Sequence, residues 1–100
     1  MKCVWTWNGK AFGYLDEQDL WSYSGKHVGK LKGNEIYASD GSYLGELVNH
    51  DRLVTCAIKR GQRDNPFPSS PPRRGIEVHA DRAGCGMCAG HEEFPYPNSL

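Results

Sequence analysis

The sequence has few apolar residues, no excess of either charge and no long hydrophobic run, and each shortage excludes a class of protein. Hydrophobic residues are 38% of the chain, against roughly 45–50% in an average globular protein, which excludes a large core. Twelve basic and twelve acidic side chains cancel, so we expect no nucleic-acid or membrane partner. No stretch is long enough to span a bilayer.

The sequence also lacks an evident export signal. The first ten residues lack the apolar run of a secretory signal, so we expect a cytoplasmic protein in which Cys3, Cys56, Cys85 and Cys88 are free thiols. A chain of 100 residues is one domain with room for a tail. Because so small a domain buries little surface, we expect self-association or a bound metal to contribute to its stability.

What the sequence does contain is a sixteen-residue repeat. Three ungapped copies cover residues 4–19, 20–35 and 36–51. In every copy, position one is aliphatic, position two is aromatic, position six is glycine and position nine is apolar. Such agreement indicates one structural unit used three times. Positions ten and twelve are invariant: Gly13, Gly29 and Gly45, then Leu15, Leu31 and Leu47.

Each copy is predicted to form one β-hairpin. Asn8-Gly9, Ser24-Gly25 and Asp40-Gly41 favour a two-residue type I′ turn, which places position two opposite position nine and position one opposite the glycine at position ten. A glycine there allows a bulge or the close approach of a neighbouring backbone. Apolar residues, including the position-two aromatics, gather at the open end of each hairpin, and polar residues gather at its turn. We therefore expect the hairpins to converge on a common hub, filled in part by those aromatics.

A fourth, degenerate copy is expected from residue 52. The segment "RLVTCAIKR" is typical of a strand, but a proline-rich loop at 61–74 follows it, and "GIEVHA" at 75–80 is the expected second strand. Residues 81–100 show no periodicity and are predicted to be an irregular C-terminal tail. The predicted fold is all-β, with four short antiparallel β-hairpins around a hub in a domain at 1–60.

The segments "VWTWNGKAFGYL", "LWSYSGKHVGKL" and "IYASDGSYLGEL", followed by "DRLV", resemble the four-fold β-flower domain family. This small bacterial family is named for hairpin petals around a pseudo-four-fold centre. The resemblance covers residues 1 to about 60. It implies the fold, but it implies no established activity and supplies no catalytic residues.

The sharpest chemical signal lies near the C-terminus. His79, Cys85, Cys88 and His91 have the spacing H-x5-C-x2-C-x2-H, and thiolates with imidazoles are the ligands that tetrahedral zinc prefers. We therefore predict a structural zinc site that ties the tail to the domain. Two alternatives stay open: a thiol-active Cys-x-x-Cys pair, although the surrounding glycines disfavour the helix it needs, and a tail with incidental thiols.

Two other features suggest a partner surface. Trp7 and Tyr23 lie at position four, near the hairpin tips, and are predicted to be an exposed aromatic pair for a ligand or partner. The segment 71–74, "PPRR", fits a polyproline II ligand, although a stiff loop is the interpretation we favour.

The sequence offers no convincing catalytic arrangement. It lacks an evident Ser-His-Asp set, a paired-carboxylate pattern or a phosphate-binding glycine loop. A cleft enzyme using Asp40, His50 or Asp51 is the least favoured interpretation. We predict that the protein is not an enzyme but a non-catalytic binding or assembly module, with a homo-oligomer as the expected assembly. The alternative is a structural zinc-binding or thiol-active protein.

Overall fold

The protein is all-β in the computed structural model, which describes residues 2–84, 86 and 89–95. These residues contain eight strands, one turn of 3-10 helix at Ala57–Lys59 and no α-helix. The all-β part of the predicted fold is therefore confirmed. The strands are β1 Lys2–Thr6, β2 Ala11–Asp16, β3 Asp19–Ser22, β4 His27–Lys32, β5 Glu35–Tyr37, β6 Tyr43–Val48, β7 Arg52–Cys56 and β8 His91–Glu93. Across the described part of the chain, no helix combines the length and the apolar character needed to cross a membrane.

Strands β1 to β7 form a closed, barrel-like ring. Each strand pairs antiparallel with the next strand along the chain. The ring closes where β1 pairs parallel with β7, with Trp5 opposite Arg52. Strand β8 then pairs antiparallel with the C-terminal half of β7, with Thr55 opposite Glu92. The order of strands in the sheet is thus their order in the chain.

One hydrophobic cluster, here called the hub, is shared by strands all around the ring. Repeat positions one, nine and twelve supply most of it, and the three position-twelve leucines all belong to it or pack against it. The hub consists of Val4, Phe12, Leu15, Leu20, Val28, Ile36, Leu53 and Phe94, with Leu31, Leu44 and Leu47 packed against it.

The position-two aromatics lie outside the hub, and the prediction that they help to fill it was wrong. Adjacent residues of a strand point to opposite faces. Since position one faces the hub, position two faces away from it. Trp5 and Trp21 are nevertheless buried, and Tyr37 belongs to a second cluster with Tyr43 and Cys56.

The hairpin turns have three residues, not the two that the Asx-Gly and Ser-Gly pairs predict. In the first hairpin the Gly9 amide donates to the Thr6 carbonyl, and the Thr6 amide donates to the Lys10 carbonyl. The second and third hairpins repeat both hydrogen bonds sixteen and thirty-two residues later. Only the glycine of each turn has a positive φ, +93° at Gly9, whereas a type I′ turn needs two such residues. This is the three-residue loop that ends in a G1 bulge.

The longer turn shifts the pairing of position two. Trp5 lies opposite Ala11, so position two faces position eight and not the predicted position nine. The register recovers through a bulge, because position one still faces position ten: Val4 lies opposite Gly13. The other two hairpins have the same register and the same bulge. The residue at position nine is thereby turned into the hub.

The glycine at position ten is required by the next strand along. A Cβ on Gly13 would lie 1.9 Å from the Trp21 carbonyl oxygen, and one on Gly29 would lie 2.3 Å from the Tyr37 carbonyl oxygen. The predicted close approach of a neighbouring backbone is therefore present. Each hairpin packs onto the following one at a distance that only glycine allows.

The strand that pairs with the C-terminal half of β7 is β8, and this corrects two boundaries. Residues 75–80, the expected second strand, form no strand, and 91–93, expected within an irregular tail, form β8. Phe94 follows directly, is 1% exposed and packs edge-on against Phe12 at 5.3 Å. Phe94 thereby belongs to the hub, where its ring packs beside Phe12. Residues 61–74 lack strand structure apart from an isolated bridge at Arg63, as expected for the proline-rich loop.

Candidate binding surface

Residues 61–84, here called the strap, run across the three hairpin turns, which are called the tips. The strap meets the tips in reverse order, third, second and first. It makes the same hydrogen bond at each one, from a strap amide to the carbonyl of the tip glycine. The donors and acceptors are Asp64 to Gly41, Arg73 to Gly25 and Arg82 to Gly9, each 2.8 Å long.

These contacts recur every nine residues along the strap. A second series confirms the period, because the Phe67 amide donates to the Ser39 carbonyl at 2.9 Å and the Ile76 amide donates to the Tyr23 carbonyl at 2.8 Å. Both acceptors are at repeat position four. A nine-residue segment of extended strap therefore spans one sixteen-residue hairpin unit of the ring.

The tip glycines leave room for the strap backbone. A Cβ on Gly9 or Gly25 would lie 1.9 Å from the carbonyl oxygen of Arg82 or Arg73. On Gly41 it would lie 2.2 Å from the Asp64 carbonyl oxygen. Position six therefore requires glycine for two reasons: its φ is positive, and a side chain there would collide with the strap backbone.

An ion pair accompanies each of the three contacts, and its polarity reverses along the strap. At the first and second tips the strap carries the cation and the ring the carboxylate, whereas at the third tip the strap carries the carboxylate. A strap shifted by nine residues would bring like charges together, so the charges favour one register. The pairs are Arg82 with Asp51 (2.5 Å), Arg73 with Asp16 (2.8 Å) and Asp64 with Lys32 (2.6 Å).

The ion pairs shift the ionisation of their members in the expected directions. The hydrogen bond from Lys32 lowers the pKa of the Asp64 carboxyl, and the hydrogen bond to Asp16 raises the pKa of Arg73. The side chains of Arg73 and Asp16 are 44% and 40% exposed. Solvent screening therefore keeps the contribution of this pair small.

Two arginines of the strap, Arg73 and Arg82, also cover position-two tryptophans. The Arg82 guanidinium carbon lies 3.5 Å from the centroid of the Trp5 ring, and that of Arg73 lies 4.0 Å from the Trp21 ring. The Trp5 indole also donates to the Ala80 carbonyl at 2.7 Å. Cation–π contacts of this kind contribute about 0.5–1 kcal/mol each at exposed sites.

A second polar group lies beside the third hairpin. The Lys59 ammonium contacts Glu35 at 2.9 Å and also contacts Glu46, while Gln62 donates to Glu35 and to the Tyr37 hydroxyl. The hydrogen bond from Lys59 lowers the pKa of Glu35, and the two carboxylates raise the pKa of Lys59.

An open pocket of about 260 Å³ lies between β6, β7 and β8. Its wall combines the Tyr43 ring with polar groups, but those groups already have partners. Tyr43 accepts the Cys56 amide, and Arg60 is paired with Glu92. Burial raises the pKa of the Tyr43 hydroxyl. The lining includes Tyr43, Leu44, Thr55, Arg60, Glu93 and Pro95.

The predicted metal ligands fall partly outside the described residues, because Cys85 and Cys88 are not among them. His79 faces the Val4 carbonyl through Nε2 at 3.2 Å and packs edge-on against Trp5 at 4.7 Å. His91 lies in β8, opposite Cys56. Within 2–84, 86 and 89–95, no group of three or more potential ligands comes together. The zinc site stays a prediction.

The predicted aromatic pair lies on two different tips. Trp7 and Tyr23 are both half-buried. The Trp7 indole donates to the Gly86 carbonyl at 2.9 Å, and the Tyr23 carbonyl accepts the Ile76 amide from the strap. The partner surface at these residues stays a prediction.

Sequence reasoning missed the strap and its three anchoring residues. The signal available was the spacing of Asp64, Arg73 and Arg82, nine residues apart. Prolines and charges within this segment suggested a loop or a peptide ligand, and a period of nine matches neither a helix nor the ring repeat. The nine-residue spacing becomes meaningful only in the folded structure, where it matches the spacing of the tips.

Comparison with known proteins identifies a family. A family model described as "4-fold beta flower protein" matches residues 1–83, which include most of the strap. Neither a curated protein nor a solved structure matches the chain.

Proposed function

The chain belongs to the 4-fold beta flower family. We propose that it is a non-catalytic binding module whose ring holds an extended peptide segment across its tips. In this proposal the ring derives from four sixteen-residue hairpin petals. β7 and β8 are the fourth petal, and the strap lies within its enlarged tip. The strap is then the resident segment bound by the other three petals.

One observation carries the proposal: three tips hold the strap by the same amide-to-glycine hydrogen bond, each 2.8 Å long. A loop that merely connects two strands has no need for a repeated contact. Backbone hydrogen bonds provide affinity for extended segments, and side-chain pockets provide selectivity. Here the selective elements are an aromatic face and an opposite charge at each arginine contact.

Ionisable side chains at the strap are used in holding it, which supports a binding role over a catalytic one. Arg73, Arg82 and Asp64 each face a charge of opposite sign at 2.5–2.8 Å. None of the three lines the open pocket. Catalysis would need such groups to be directed toward a substrate.

The test uses a labelled peptide of residues 62–84 and the full-length chain. In the Arg73→Glu/Arg82→Glu protein the resident strap loses two ion pairs and both cation–π contacts, so the ring becomes available to a peptide in trans. We expect the peptide to bind this variant at least tenfold more tightly than the wild type, whose tethered strap competes at a high effective concentration.

The matched control is the same peptide with Arg73 and Arg82 replaced by glutamate, which is expected to bind neither protein. If the unmodified peptide fails to bind the double variant even at millimolar concentration, the ring does not hold extended segments and the proposal fails. Fluorescence anisotropy measures all four combinations.

A structural zinc site is the second candidate, and one strand register favours it. Cys56 lies directly opposite His91, and cross-strand neighbours have Cβ atoms about 4.5–5.5 Å apart. Thiol and imidazole on one face of the ladder are two suitable zinc ligands. The sequence places Cys85 and Cys88 six and three residues before His91. We therefore propose Cys56 as the fourth ligand, in place of His79.

Native mass spectrometry separates the two ligand sets. One zinc ion per chain that is lost in Cys56→Ser and kept in His79→Gln supports the set with Cys56. The opposite pattern supports the set with His79. A wild-type chain purified without zinc, and unable to bind added zinc, contradicts both.

A further inference from the structure

His27, in β4, lies beneath the strap with its side chain almost fully buried, at 2% exposure. Its imidazole is flanked by the Trp21 ring at 4.9 Å and by Phe67, from the strap, at 6.0 Å. It is a buried titratable group that lies between ring and strap and that the proposed peptide binding does not use.

The hydrogen bonds of His27 determine its protonation state. The Ser70 backbone amide, from the strap, donates to Nδ1 at 2.9 Å. The Asp19 carboxylate lies 2.9 Å from Nε2. An amide can only donate and a carboxylate accepts, so Nδ1 carries a lone pair and Nε2 carries the hydrogen. With the strap in place, His27 is the neutral Nε2–H tautomer.

We propose that His27 is a proton-sensitive latch for the strap. A second proton would go to Nδ1, where the new N–H would face the Ser70 N–H at hydrogen-bond distance. The two donors repel each other, so the protonated state loses the Ser70 contact. The strap around Phe67 and Ser70 then lifts, and water accepts the hydrogen bond from the new N–H.

The groups around His27 set the direction of the effect. Asp19, on β3, stabilises an imidazolium whether the strap is docked or released. Lys30, on β4, lies 5.3 Å from the Phe67 ring centroid, and Arg73 of the strap, paired with Asp16, lies over Trp21. Lys30 stays on the ring in both states, whereas the Ser70 N–H that faces Nδ1 leaves with the strap. Protonation is therefore favoured in the released state, and lowering the pH through the range of histidine titration shifts the strap toward release.

The test measures amide hydrogen exchange of Ser70 and Phe67 by nuclear magnetic resonance, corrected for intrinsic rates, above and below the histidine titration. For the wild type we expect at least a tenfold loss of protection on acidification at these amides. The core amide of Leu20 is expected to keep its protection. The His27→Gln variant keeps a neutral acceptor for Ser70, so its protection should not respond to the same change in pH. The exposed His50→Gln variant is the matched control and should behave as the wild type.

Equal protection of Ser70 at both pH values overturns the proposal, as does a pH response that persists in His27→Gln. Should that variant fold poorly, the tautomer decides the question in the wild-type chain. Long-range nitrogen–proton correlation must show the Nε2–H form at neutral pH, and the Nδ1–H form overturns the latch. This result is independent of whether a peptide binds in trans.

Discussion

Single glycines set the distance between strap and ring. Gly25 combines a φ of +95° with a Cβ position 1.9 Å from the Arg73 carbonyl oxygen. Gly33 also has a positive φ, +64°, but no atom within 4 Å of its Cβ position. The two residues therefore separate the conformational requirement for glycine from the steric one.

We expect Gly25→Ala to destabilise the protein more than Gly33→Ala. A left-handed alanine costs about 1–2 kcal/mol in both variants, whereas only the Gly25 variant also displaces the strap. Urea denaturation gives the two free energies of unfolding. Hydrogen exchange at Arg73, the amide that bonds to Gly25, should accelerate only in Gly25→Ala. Equal losses of stability and unchanged exchange would contradict the close contact.

The Lys59 group predicts a pH dependence in acid. Because Lys59 lowers the pKa of Glu35, the folded state favours the ionised carboxylate. Its stabilising contribution is complete above the ordinary pKa, near 4.5, and is lost as the pH falls through the lowered folded-state value. Urea melts at a series of pH values should show a shallower loss of stability below about pH 4.5 in Glu35→Gln. The exposed Glu77→Gln is the control, and an unchanged slope in Glu35→Gln would contradict the assignment.

At the scale of elements, β8 has the weakest sequence signal and yet a central position. Its three residues are polar, "HEE", but the next residue, Phe94, is fully buried in the hub. The Phe94 ring packs so close to the Gly45 backbone in β6 that a Cβ on Gly45 would lie 2.6 Å from the ring. The segment 91–94 is therefore attached to the core.

Replacing Phe94 tests this placement. Phe94→Ala is expected to cost about 3–5 kcal/mol, as large-to-small changes of buried aromatic residues do. Ile58→Ala, at an apolar residue that is 89% exposed, should change the free energy of unfolding by less than about 0.5 kcal/mol. Thermal and urea melts give both values. A Phe94 variant as stable as the Ile58 variant would contradict the burial of Phe94 and support the predicted irregular tail.

The sequence predicts the elements whose contacts lie within one repeat and fails where contacts are distant. The repeat predicts three features correctly. These are the cross-strand pairing of Val4 with Gly13, the leucines at the hub, and the close approach of a neighbouring backbone at position ten. The turn length does not, because Asn8-Gly9 suits both a two-residue loop and the last two positions of a three-residue loop. The strap and β8 are missed because their partners lie tens of residues away, as in the contact of Arg82 with Gly9.

The whole molecule is as compact as an ordinary monomer of its size. Its accessible surface is 5647 Å², against about 5,700 Å² expected for a folded monomer of its mass. Its radius of gyration is 12.6 Å, against about 12.7 Å expected for 100 residues. The strap and Phe94 supply burial that the first sixty residues lack. The deficit that motivated a prediction of self-association is thereby removed, although the oligomeric state itself stays a prediction.

Since strap and ring satisfy each other within one chain, we expect the wild-type protein to sediment as a monomer at micromolar concentration. For such a monomer the melting temperature should not depend on protein concentration, because no association step would be coupled to unfolding. The Arg73→Glu/Arg82→Glu variant is the informative comparison, since its loosened strap leaves the tips open to a neighbouring chain. A wild-type dimer whose melting temperature rises with concentration would show that the ring is completed between chains, and the strap contacts described here would then be formed between two molecules.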